Sequence, residues 1–195
     1  MFMEEIYMAT SNKNKYLTMK RNFDKYGIGL KQFEISLPEI QSYEVEEVIK
    51  NKINEAYNRL QKPCIVHDSG FFIPSINGFP GALVHPILDK IDIEGILKLL
   101  ENKDRTCYFH ECLAYYYDKN KNPMFFESKI NGTIPFEPKG GKAHYHWSRL
   151  FEIFIPEGFS KTLAEMEENE YIKWHDSDEN KKYIRKFAEW YLKMI

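Results

Sequence analysis

The chain has 195 residues, 43% hydrophobic and 29% charged, enough for one full core and too few for two independent domains. Its 27 basic and 29 acidic residues leave a net charge of -2, so nothing global calls for a nucleic-acid polymer, and no apolar run nears membrane-spanning length. Cys64, Cys107 and Cys112 are an odd number without metal-ligand spacing, and the start lacks the charged-then-apolar pattern of an export signal; both point to a reducing cytoplasm.

Residues 5–9 read as a first strand, followed by the polar turn Thr10-Ser11-Asn12 and a helix over 14–26 closed by Gly27. Strand, short turn and helix offer backbone N–H groups to an anion, and Lys13 and Lys15 add charge there; such turns also occur where nothing binds. Residues 31–37 read as a second strand, ending at Pro38-Glu39-Ile40-Gln41. Residues 44–60 are the clearest helix, with Val45, Val48, Ile49, Ile53, Ala56, Tyr57 and Leu60 on one apolar stripe. Lys52 is assigned to a neighbouring face, where the pattern alone makes it a solvated helix lysine.

Residues 63–66 form a short apolar run, read as a buried strand that breaks into a turn at His67-Asp68-Ser69-Gly70. Asp68 fits either an Asx-turn or a carboxylate that a metal ion or basic side chain must neutralise. Gly78-Phe79-Pro80-Gly81 marks a further turn, residues 86–91 a short helix, and residues 92–101 a better one with Asp92 as N-cap. Residues 105–117 and 124–134, aromatic and β-branched, form a hairpin about the turn at 118–122. The basic loop 138–142 reads either as a ligand cover or as plain surface. His144 and His146 alternate as strand neighbours do, without the third ligand a zinc site needs. A short helix starts at Thr162, and an amphipathic one covers 179–194.

Five separated stretches agree with one family. They are Thr10-Ser11-Asn12-Lys13-Asn14-Lys15, Leu37-Pro38-Glu39-Ile40-Gln41, Asp68-Ser69-Gly70 with Asn77-Gly78-Phe79-Pro80-Gly81, Ile130-Asn131-Gly132-Thr133-Ile134, and Thr162-Leu163-Ala164-Glu165-Met166. On these motifs the chain resembles the inosine triphosphate pyrophosphatases, the non-canonical purine nucleoside triphosphate pyrophosphatases. The resemblance implies an α/β fold with an elongated mixed β-sheet, flanking helices and two lobes around a central cleft. Residues 1–195 would be one such domain, usually paired as a homodimer. It also implies hydrolysis of a nucleoside triphosphate to the monophosphate and pyrophosphate with a divalent metal, Mg2+ or Mn2+. Carried over by motif, Thr10, Ser11, Asn12, Lys15 and Lys52 bind the substrate, with Ser69 and Gly70 of the central motif. Glu39 and Asp68 hold the metal or position the attacking water, and Asp68, Glu39 and Lys15 make the catalytic set.

The base-recognition half departs from the family. Its Phe-Gly-aromatic-Asp-Pro segment is matched by Tyr145-His146-Trp147-Ser148-Arg149, which keeps both aromatics and loses Asp-Pro. Its lysine and Ser-His-Arg give way to Tyr171 and His175-Asp176-Ser177. On the resemblance, Tyr145 and Trp147 would sandwich the base, with His175 and Asp176 as new edge contacts and an altered base choice. The alternative is a nucleotide-binding or regulatory protein that kept the fold and lost efficient turnover.

Overall fold

In the computed structural model, which describes residues 5–144, 146 and 148–194, strand β1 (Ile6–Ala9) leads into helix α1 (Lys13–Asp24). Asn12 caps α1, its side-chain oxygen accepting from the Lys15 amide at 3.0 Å. Next come β2 (Leu30–Phe33), α2 (Val45–Leu60), β3 (Cys64–Phe72), β4 (Pro80–Gly81) and α3 (Val84–Leu99). The hairpin strands β5 (Thr106–Tyr116) and β6 (Met124–Thr133) are followed by β7 (Ile155–Pro156), α4 (Glu168–His175) and α5 (Lys182–Met194). The mixed sheet has seven strands in the order β2-β1-β3-β5-β6-β7, with β4 paired to β3. β1 runs parallel to both β2 and β3, whereas β4 is antiparallel to β3 and β7 to β6.

The residues fall into two compact units. The first comprises Met1–Asp68, Glu111–Ser128 and Lys181–Ile195. Its core joins Ile6 and Met8 of β1, Phe23 of α1, Ile65 of β3, Tyr115 of β5, and Phe187 and Tyr191 of α5. Phe23 stacks on Phe187 with ring centroids 5.1 Å apart, and each such ring contributes about 1.5–3 kcal/mol by leaving water. The apolar stripe of α2 is buried as the periodicity requires. The second unit comprises Ser69–His110 and Lys129–Asn180, around Phe71, Ile96, Phe109, Phe154, Leu163 and Tyr171.

Three expectations change. The second strand stops at Phe33, and residues 34–44 carry no helix or strand. β3 does not break at His67: it continues through Asp68-Ser69-Gly70 to Phe72, because Phe71 and Phe72 are buried and pair with β4. Asp68 is therefore inside a strand rather than in a turn. Helix α4 was not foreseen, and the segment at Thr162 is one 3-10 turn (Leu163–Glu165) closed by a capping box, the Thr162 amide donating to Glu165 Oε2 at 2.7 Å. The basic loop is tied down: the Lys139 amide donates to Glu152 O, Thr162 Oγ1 donates to Lys139 O, and Gly140 lies against Ala164 where a Cβ would stand 2.4 Å from backbone.

Gly132 shows why a motif position needs glycine. A Cβ there would meet Ile155 O and Phe154 Cε2, each at 2.5 Å, on the β6–β7 pairing. Gly132→Ala must push these apart and is expected to destabilise by about 1–3 kcal/mol, read from urea unfolding.

Candidate active site

β1 and β3 are parallel with Met8 opposite Ile65, so Asp68 lies just past the level at which β1 ends at Ala9 and leads into Thr10. Here the chain turns into α1, the place where ligands gather in parallel sheets. The turn is held from within: the Asn12 amide donates to Thr10 Oγ1 at 3.1 Å, and the Thr10 carbonyl accepts from Gln32 Nε2 at 3.0 Å. Among the described residues, the Lys13 and Asn14 amides at the start of α1 carry no partner, which suits an anion. Ser11, Asn12 and Lys15 are exposed beside them.

Lys52 sits between two carboxylates. Its ammonium donates to Glu39 Oε1 at 2.5 Å and also to Asp68 Oδ2. Lys15 Nζ stands 3.9 Å from Asp68 Oδ1. Lys52 is 8% exposed, so it is not the solvated helix lysine of the sequence reading. The helical spacing explains why: Lys52 is three or four residues from Val48, Ile49 and Ala56, all buried, and lies on the inner face with them. Burial works to lower the lysine's pKa, but the Asp68 charge and the bonds to Asp68 and Glu39 outweigh it and hold the pKa above 10.5. Burial likewise works to raise the Asp68 pKa, and the charges of Lys15 and Lys52 overcome it, so the carboxyl titrates below its usual 3.8. The Glu39 side chain is 67% exposed, on the irregular 34–44 segment. Ser69 and half of the central motif follow Asp68 along β3, with Gly70 buried.

A further pair went unforeseen. His67 Nε2 and Glu111 Oε2 are 2.7 Å apart, and the imidazole stacks on Tyr183 with centroids 5.1 Å apart. Nothing in the sequence joins His67 to a glutamate on β5.

Of the base-side candidates, His175 and Asp176 belong to the second unit. Tyr145 and Trp147 lie outside the described residues. His175 and Asp176 end α4 and bond each other, Nδ1 to Oδ1 at 2.9 Å, with the imidazole 5.3 Å from the Tyr171 ring. Arg149 is engaged by Asp92, Glu94 and Glu152, a clamp between α3 and the 3-10 turn Arg149–Ile153. No helix among the described residues is long and apolar enough to cross a membrane.

The two carboxylate oxygens on Lys52 lie within about 5 Å of each other, being bonded to one nitrogen. Such hard oxygen donors fit a magnesium-type cation, which needs only one or two protein carboxylates. The fold and this cluster thus define an α/β protein with acids and ammonium groups converging beside the end of β1, against the middle of its parallel neighbour β3. A family model described as the Ham1 family matches residues 6–186. A dITP/XTP pyrophosphatase of Methanopyrus kandleri is 35% identical over 187 residues, 96% of each chain, and one of Thermococcus kodakarensis is 33% identical over 93% of this chain and 94% of its own. A HAM1 protein structure from Coxiella burnetii superposes with TM-score 0.80 at 23% identity, over 98% of this chain and 100% of its own. The chain belongs to the Ham1 family.

Replacing Lys52 removes the ammonium that bonds Asp68 directly and leaves Lys15, at 3.9 Å, as the remaining ammonium of the cluster. The Asp68 contribution is complete above its usual pKa of 3.8 and is lost as pH falls through the lowered folded value; the Lys52 contribution is complete below 10.5 and is lost as pH rises through its raised value. Lys52→Met should therefore cost about 3–5 kcal/mol at neutral pH, with the deficit shrinking as pH is taken below 3.8, measured by urea unfolding across pH.

Proposed function

We propose that the protein is a nucleoside triphosphate pyrophosphatase acting on non-canonical purine nucleotides such as dITP and XTP, releasing the monophosphate and pyrophosphate. The observation that carries this reading is the Lys52–Asp68–Glu39 cluster with Lys15, set beside open helix-start amides. The names of the Methanopyrus and Thermococcus relatives support the same substrate class.

In this reading Thr10, Ser11, Asn12 and Lys15 receive the triphosphate, with the α1 amides as fixed donors and Lys52 as a second ammonium. A water attacks the α-phosphorus, a new P–O bond forms, and the bond from that phosphorus to the bridging oxygen breaks, so pyrophosphate leaves. Asp68, kept ionised by Lys52 and Lys15, orients this water and accepts its proton. Glu39 and Asp68 would hold a divalent ion, magnesium or manganese, which supplies charge neutralisation to the phosphates when bound. Tyr145, Trp147, His175 and Asp176 remain the candidates for the base. The free, buried thiols Cys64, Cys107 and Cys112 suit the reducing cytoplasm, and a homodimer is the assembly that goes with this reading.

The test is pyrophosphate release from ITP, XTP, dITP, dUTP and the common eight triphosphates, each with magnesium and with chelator. Turnover that needs the metal and favours dITP or XTP is the expected result. Absence of turnover together with nucleotide-induced thermal stabilisation would instead indicate a binding protein.

A further inference from the structure

The two acids assigned to a divalent ion are already engaged by a cation of the chain's own. Lys52 Nζ bonds Glu39 Oε1 and Asp68 Oδ2 simultaneously, and Lys15 faces the other Asp68 oxygen at 3.9 Å. A metal ion entering alone meets carboxylates whose charge is largely neutralised, and it must draw oxygens away from an ammonium that is 8% exposed. Lys52 cannot retreat into solvent, because its helix face is packed inward with Val48, Ile49 and Ala56. It leaves the acids only if another strong acceptor comes within its reach. A polyphosphate at the β1–α1 turn supplies such oxygens next to Lys15 and Asp68. Glu39 is the partner free to rearrange, being on the irregular 34–44 segment with its side chain 67% exposed.

We propose that Lys52 is the resting counter-ion of the Glu39–Asp68 pair, keeping divalent ions off these acids until a triphosphate takes over the ammonium. The proposal rests on the reading of Glu39 and Asp68 as the metal-holding residues. Its consequence is reciprocal coupling: triphosphate raises affinity for the metal, and the metal raises affinity for triphosphate by the same factor. The nucleotide-free protein is thereby kept from loading metal without substrate.

The experiment is Mn2+ binding to the nucleotide-free full chain, followed by electron paramagnetic resonance and by thermal denaturation. Lys52→Met should bind Mn2+ about tenfold or more tightly than wild type, and Mn2+ should raise the melting temperature of that variant far more than that of wild type. Lys52→Arg, which keeps the charge, should stay near wild type. Lys52→Gln repeats the measurement if the Met variant does not fold. Adding Asp68→Asn to the uncharged variant distinguishes the two levels of the argument. If neither uncharged variant gains Mn2+ affinity, yet Asp68→Asn weakens what binding there is, the counter-ion proposal is overturned and the ligand assignment stands. If Asp68→Asn leaves Mn2+ affinity untouched, Asp68 is no ligand, and the reading beneath the proposal fails with it.

Discussion

A single ammonium shared by two carboxylates sets the constraints at this site. Asp68 lies within β3, largely out of water, where an ionised and unpaired carboxylate would be prohibitive. Lys52 answers it from α2 and Lys15 from α1, so two helices and a strand must hold their positions for one charge to be tolerated. The apolar stripe of α2 does that positioning. Val48, Ile49, Ile53 and Ala56 turn inward, and Lys52 turns inward among them. Removing one partner would leave the other charge buried, which gives the cluster a stability role alongside its chemistry.

Much of this was readable in the residues. The β1–α1 turn, the α2 stripe and the β5–β6 hairpin follow from periodicity and from turn residues, and the motifs contain Lys15, Glu39 and Asp68, three of the four side chains that converge. For Lys52 the signal is its spacing from Val48, Ile49 and Ala56, which outweighs its charge: a lysine at an inward position signals a carboxylate partner. The length of β3 was not readable. Ser69 and Gly70 are turn-type residues, and only the pairing of Phe71 and Phe72 with β4 carries the strand through them. The His67–Glu111 contact spans two strands distant in sequence, which no local pattern encodes.

The second unit is tied together by charged side chains of its own. The Arg149 guanidinium is held by Asp92, Glu94 and Glu152. Asp92 itself interrupts α3 with a φ of 52°, so the clamp secures the point at which that helix changes direction. His175 and Asp176 similarly bond each other at the end of α4. These residues of the second unit therefore have structural work of their own.

The central claim is that ionised Asp68 takes part in the reaction and does not merely balance charge. The direct measurement is pyrophosphate release by Asp68→Asn, with its secondary structure and unfolding midpoint recorded in parallel. Near-total loss of release in a folded protein is the predicted result. Undiminished release would contradict it and would leave the Lys52–Asp68–Glu39 cluster as a structural device.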